Sequence, residues 1–176
     1  MKGSTSLDPS EWISGLLQTC VADGATAFDL ACGSGRHSVL CRDLKFKVTA
    51  FDRNSDLKVN FENLGIPFEC VDLESGVWPL TGKKADVVIV SNYLYRPRLL
   101  EIFSLVANDG FLIYETFGIG NQRYGKPSNP DYLLEPGELV ELLPSGFKIL
   151  DEFFGETINP SPAIRARLFA RRDGSL

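Results

Sequence analysis

The sequence predicts an α/β fold, a doubly wound, seven-stranded and mostly parallel sheet with an antiparallel terminal strand, and three observations carry that reading. Strand-like and helix-like segments alternate five times before a closing pair of strand-like segments, the pattern of parallel strands joined by helical crossovers. The run Ala27-Phe28-Asp29-Leu30-Ala31-Cys32-Gly33-Ser34-Gly35-Arg36-His37-Ser38 leads an apolar segment through an acid and a small-residue turn into helix-compatible sequence, as a strand does when it feeds a nucleotide-binding loop beneath a helix. Asp29, Asp52, Asp72, Ser91 and Thr116 fall at the carboxyl ends of successive strand-like segments, where such sheets bind their ligands.

Taken in order, Asp8 or Ser10 caps a helix that begins near Pro9, places Trp12, Ile13, Leu16 and Leu17 on one face and ends by Gly24. Ala25 to Ala31 is the first strand, and Arg36 to about Leu44 is the first crossover helix. Phe46 to Asp52 alternates and is rich in strand formers, so it reads as the second strand. Asn54 or Ser55 caps a short helix to about Leu64, and Pro67 to Val71 is a short third strand. Between Leu73 and Lys84, Gly76, Pro79 and Gly82 break any long helix, which predicts an abbreviated crossover. The continuous apolar run Asp86 to Ser91 marks a central strand covered on both faces. A helix from about Pro97 to Ala107 follows, and Asn108-Asp109-Gly110 turns the chain into a fifth strand, Phe111 to Thr116. From Phe117 to Pro136 periodicity disappears; an aperiodic loop of that length in a compact domain is usually functional or disordered, and its aromatics argue for an ordered cover. A helix to about Leu143 and an antiparallel edge hairpin, Phe147 to Phe154 and Ile164 to Arg171, complete the chain.

With 176 residues, 44% of them hydrophobic, the chain has room for one sizeable core, so residues 1–176 are expected to form a single domain. The net charge of −5 opposes nucleic-acid binding, which rests largely on neutralising phosphates with Lys and Arg. A small-molecule partner is expected instead. Cys20, Cys32, Cys41 and Cys70 form no CxxC pair, and His37 is the single histidine, which fits reduced thiols and leaves little material for a metal centre. No leader and no run of membrane-spanning length is visible, so the expectation is a cytoplasmic protein, monomer or homodimer, without a membrane partner.

At the strand ends, the small residues Ala31, Gly33 and Gly35 let the backbone approach a ligand closely. Asp52 follows Gly35 by 17 residues, near the usual interval for a second-strand acid that accepts hydrogen bonds from ribose hydroxyls. A dinucleotide fingerprint would place glycine at Ser38. The carboxylate of Asp29 would repel a pyrophosphate and suits a cation.

The run Asp29 to Gly35 resembles the first motif of class I S-adenosylmethionine-dependent methyltransferases, with Ala31 in place of the first glycine. Asp52 and Asp72 match that family's acids after strands two and three, and Asp86 to Asn92 its fourth-strand motif. The resemblance covers nearly the whole chain and includes the terminal strand pair. Gly137-Glu138-Leu139 and Arg167-Leu168-Phe169-Ala170-Arg171 are similar to the small tellurite-resistance-type branch.

The resemblance implies a Rossmann-like methyltransferase fold and S-adenosyl-L-methionine as cofactor. It places Asp29 and the backbone of Ala31, Cys32, Gly33 and Gly35 against the methionine portion, with His37 nearby. It assigns Asp52, with Arg53 beside it, to the ribose, and Asp72 and Leu73 to the adenine. Ser91, Asn92 and Tyr93 then leave the fourth strand where the methyl group points. Ser91-Asn92-Tyr93-Leu94 stands where the Asn/Asp-Pro-Pro-aromatic motif of exocyclic-amine methylation would be, which argues against such acceptors.

Phe117 to Tyr132 is expected to close over the methyl site, with Tyr93, Tyr95, Arg96, Tyr114, Asn121, Arg123 and Tyr124 meeting a small-molecule acceptor. Arg165 and Arg167, alternating on the last strand, read as solvated edge charges rather than ligands of an anionic acceptor. The favoured function is methyl transfer by direct in-line displacement. A non-catalytic S-adenosylmethionine-binding domain is the alternative, and a nicotinamide-dependent oxidoreductase is disfavoured by Asp29 and Ser38.

Overall fold

The computed structural model describes residues 8–20 and 22–174. Its sheet is built from β1 (Thr26–Leu30), β2 (Lys47–Asp52), β3 (Phe68–Cys70), β4 (Ala85–Ser91), β5 (Val106–Phe117), β6 (Phe147–Thr157) and β7 (Ala163–Arg172). The strand order is β3-β2-β1-β4-β5-β7-β6. β1 to β5 run parallel, and β7 is antiparallel to both β5 and β6. β4 is central because Val87, Val88, Ile89 and Val90 are apolar on both faces, and all four are fully buried.

Helices α1 (Glu11–Thr19), α2 (Arg36–Asp43) and α3 (Lys58–Leu64) cover one face of the sheet. Ile13, Leu17, Cys41 and Phe61 pack there against Val48, Ile89 and Ile113. Helices α4 (Leu99–Ser104) and α5 (Glu138–Leu142) cover the other, where Leu99, Ile102, Phe103 and Leu139 meet Leu30, Val88, Leu112 and Leu168. Of the two candidate caps for α1, Ser10 does the work, its side chain accepting from the Ile13 N–H. The crossover from β3 to β4 contains no helix, as its Gly and Pro content predicts.

One expectation changes. Asn108-Asp109-Gly110 is not a turn before the fifth strand but lies inside β5, which starts at Val106 and shortens α4 to six residues. The β4–β5 register shifts between Ala85 and Val87, and Asp109 takes φ 61°, so the turn-forming residues serve a bulge in a paired strand. The terminal pair is the expected antiparallel hairpin at one edge, with β7 inserted between β5 and β6 and β6 at the edge. The segment 117–136 is ordered by short 3₁₀ turns at Asn121–Arg123 and Pro130–Tyr132 and by a bridge between Gly118 and Leu134. Among the described residues, no helix is long and apolar enough to cross a membrane.

Candidate functional site

Beyond β1 the chain reverses through Ala31 (φ 51°), Gly33 (φ 53°) and Gly35 (φ 84°). A side chain at Gly35 would bring its Cβ to 2.6 Å from the Phe61 ring, whereas one at Gly33 would meet only open space. Gly35 is therefore needed for packing, and Gly33 leaves room beside the turn. The turn is tied to the end of β2: the Cys32 N–H donates to the Phe51 carbonyl at 3.0 Å and the Gly33 N–H to Asp52 Oδ2 at 2.9 Å. Asp52 Oδ1 accepts from the Asn54 N–H at 3.0 Å.

A cavity of about 130 Å³ opens at these strand ends, lined by Ala31, Asp52, Arg53, Asp72, Leu73 and Tyr93 among others. Asp72 is exposed, accepts from the Glu74 N–H and the Ser75 hydroxyl, and its carboxyl is held below the usual range by those two hydrogen bonds. The Tyr93 hydroxyl is buried and has no hydrogen-bond partner among the described residues, a deficit that a bound polar group would relieve. Burial first, then the carboxylates of Glu74 and Asp72, push its phenol up, so it stays protonated. Arg53, Glu74 and Tyr93 continue into a neighbouring cavity of about 330 Å³, which Asn92, Thr116, Phe117, Pro127 and Tyr132 complete. Thus Phe117, Pro127 and Tyr132 of the aperiodic segment line a cavity beyond the end of β4. A glycine-lined turn, a strand-end acid and an adjoining acidic and apolar wall fit an adenosine-type ligand.

Several expected site residues are placed otherwise. Asp29 is 1% exposed, and its carboxylate accepts from the Ser38 hydroxyl at 2.6 Å, so it braces the turn from inside instead of facing a ligand's ammonium. Burial drives its carboxyl from 3.8 up to about 6, against that hydrogen bond. His37 is also buried, and its Nε2 accepts from the Ser10 N–H at 3.1 Å, fastening the start of α1 rather than a cofactor. Burial, then the Arg36 charge, lower it to about 3, so the ring is neutral. Cys32 is half-buried and its thiol, pushed up by burial, donates to the Gly33 carbonyl.

On the acceptor side, Tyr114 is fully buried and donates to the Tyr93 carbonyl at 2.8 Å. Asn121 is buried, accepts from the Ile164 N–H and donates to the Pro127 carbonyl. Both are consumed by the fold and cannot meet an acceptor. Arg96 grips Glu138 and the carbonyls of Asp131 and Leu133, clamping the aperiodic segment onto α5. Arg123 and Tyr124 are exposed, stacked on each other at 5.0 Å and directed to Glu156. Tyr95 is half-buried at the end of β4.

The sequence reading missed a third cavity, about 680 Å³, between the start of α1 and strands β5, β6 and β7. Arg36, Arg165, Arg167, Glu115 and Trp12 line it. Because β7 is internal, Arg165 is only 9% exposed, not a solvated edge charge. Arg36 donates to the Ser91 hydroxyl, and Arg165 to Asn92 Oδ1, so the last residue of β4 and the one after it are engaged from this side. Strand alternation placed Arg165 and Arg167 on one face, but only the insertion of β7 decided that the face is covered.

No family model matches the sequence, and no curated protein matches it. Solved structures do, and they define the chain's fold as that of S-adenosylmethionine-dependent methyltransferases. The individual likenesses include a methyltransferase of this kind from Methanosarcina mazei, with a TM-score of 0.70, 16% identity and coverage of 96% of this chain and 100% of that one. TehB from Haemophilus influenzae gives 0.72 at 18% identity over 93% of this chain, which spans 63% of the TehB chain's length. The 1,6-didemethyltoxoflavin-N1-methyltransferase of Burkholderia thailandensis, solved with S-adenosylhomocysteine, gives 0.67 at 18% identity over 93% of this chain and 77% of its own.

Proposed function

We propose that the chain is a single-domain S-adenosylmethionine-dependent methyltransferase that acts on a small-molecule acceptor. The observation that carries this reading is the cavity at the ends of β1, β2 and β3, where Ala31 of the turn, Asp52 and Asp72 line open space beside a Tyr93 hydroxyl that has no hydrogen-bond partner among the described residues. In this reading Asp52, fixed by the Gly33 and Asn54 amides, holds the ribose hydroxyls. Asp72 and Leu73 meet the adenine, and Arg53 flanks the sugar. The backbone from Ala31 to Gly35, braced from beneath by Asp29 and Ser38, receives the methionine portion. Bound there, S-adenosylmethionine supplies an electrophilic methyl group whose bond to sulfur breaks onto sulfur as an acceptor lone pair bonds to carbon, leaving a neutral thioether. The chain's own task is alignment, which is worth about 7–11 kcal/mol in well-oriented systems. Phe117, Pro127 and Tyr132 line the adjoining cavity, where they would shield the line of attack from water. A cytoplasmic location agrees with reduced cysteines.

The fold is also that of the [4+2]-cyclase SpnF, at a TM-score of 0.69, so binding and turnover are tested separately. Calorimetry with S-adenosylmethionine, S-adenosylhomocysteine and NADH is expected to give binding of both sulfur ligands and none of NADH. Asp52→Asn is expected to weaken S-adenosylhomocysteine by about tenfold or more, since a charge-assisted ribose contact is lost. Binding of NADH without either sulfur ligand would overturn the proposal.

A further inference from the structure

We propose that the 680 Å³ cavity between α1 and β5–β7 is the acceptor site and that it holds an organic oxyanion, anchored by Arg165 and Arg36. This rests on the methyltransferase reading above and names its substrate class. The first argument is charge. Arg165 is buried, has no carboxylate in ion-pair range among the described residues, and its guanidinium makes one hydrogen bond, to Asn92, while lying 4.0 Å above the Phe117 ring. A guanidinium so placed has given up water without gaining a counter-ion. Burial, with Arg167 and Arg36 adding to it against the single opposing Glu115, holds its pKa below the ordinary value. Among the described residues no salt bridge of Arg36 is seen, and it donates to the Asp8 carbonyl and the Ser91 hydroxyl.

Arg167 is already neutralised: Glu115 Oε2 lies 2.6 Å away, and the Trp12 and Phe153 rings each sit 5.3 Å from its guanidinium. The other carboxylates on the lining, Asp8, Glu11 and Glu156, are exposed, where solvent screens them. The interior therefore keeps an uncompensated positive charge with a fork suited to carboxylate or phosphate.

Size and position decide the rest. The volume is that of a small organic ligand rather than of an inorganic ion, and Trp12 with Ile158 offers an apolar wall for its body. The Arg165–Asn92 and Arg36–Ser91 contacts join the cavity to the last residue of β4 and the one after it, and Asn92 also lines the cavity that adjoins the proposed cofactor pocket. An oxyanion whose lone pairs are held by guanidinium groups is a poor nucleophile, so it serves as the anchor, and the attacking atom lies at the acceptor's other end.

The test titrates the full chain, saturated with S-adenosylhomocysteine, with benzoate, phenyl phosphate and neutral benzamide by calorimetry. An anionic probe is expected to bind about tenfold or more tightly than benzamide, and the stronger of benzoate and phenyl phosphate identifies the oxyanion. Arg165→Met is expected to weaken that probe about tenfold or more while S-adenosylhomocysteine affinity holds within about twofold. Glu115→Gln, which removes the internal anion and frees Arg167, is expected to tighten it several-fold, a gain that misfolding does not imitate. Equal binding of benzamide, no anion binding, or weaker binding in Glu115→Gln overturns the proposal. Loss of S-adenosylhomocysteine binding in Arg165→Met also overturns it, because the cluster would then belong to the cofactor. If the wild-type chain itself fails to bind S-adenosylhomocysteine, the functional reading falls, and the same titration of the free chain still reads the cluster: anion binding lost in Arg165→Met supports it and none overturns it.

Discussion

Replacing Asp29 with asparagine removes a carboxyl group that the fold holds almost wholly out of water, while keeping an oxygen to accept the Ser38 hydroxyl. Burial raises this carboxyl from 3.8 to about 6. A group whose native pKa exceeds its unfolded value contributes stability that is full below the unfolded value and lost as pH rises through the native one. The gap corresponds to about 3 kcal/mol, of which about 2 kcal/mol falls between about pH 4.5 and about pH 7.5. His37 acts in the opposite sense in an overlapping window. Lowered from 6.5 to about 3, it contributes stability that is present above its unfolded value and lost as pH falls toward the native one. The wild-type profile thus combines opposing trends, and the informative quantity is the difference between Asp29→Asn and wild type, in which His37 cancels. Urea unfolding followed by far-ultraviolet circular dichroism gives that difference. The variant is expected to gain about 2 kcal/mol on the wild type on going from about pH 4.5 to about pH 7.5. A difference that does not move with pH refutes a buried, solvent-starved Asp29.

Gly35→Ala combines a left-handed backbone with a Cβ 2.6 Å from Phe61, so a loss of about 2–4 kcal/mol is expected, read as a fall in Tm of roughly 10 °C. Tyr114→Phe deletes the hydroxyl that satisfies the Tyr93 carbonyl and is expected to cost about 1 kcal/mol in denaturant unfolding. An unchanged midpoint would mean that the carbonyl finds another donor. Arg96→Ala releases Glu138 and two carbonyls of the aperiodic segment, so hydrogen exchange is expected to speed up across residues 117–136 and not in β4. Uniform acceleration would show global destabilisation instead.

The parts of this molecule that were legible beforehand obey local rules. The apolar run of β4 announced a strand covered on both faces, and the small residues from Ala31 to Gly35 announced a tight turn. The interval from that turn to Asp52 brought the acid to the Gly33 amide. Misreadings arose where one residue type serves two structures. Asn108-Asp109-Gly110 has the chemistry of a turn and also of a bulge, and pairing with β4 chose the bulge. Tyr114 and Asn121 carry polar groups suited to a ligand, but internal partners claimed them.

What the sequence determined by itself was the alternation of strands and helices and the strand-end acids, because side-chain period, turn chemistry and propensity act over a few neighbouring residues. Only the tertiary structure decided which charges face solvent. Arg165 is separated from Asn92 by 73 residues and Arg167 from Glu115 by 52, and whether such a group is solvated or enclosed depends on what packs against its strand. Insertion of β7 between β5 and β6, beneath the start of α1, turned two alternating arginines into the floor of a cavity.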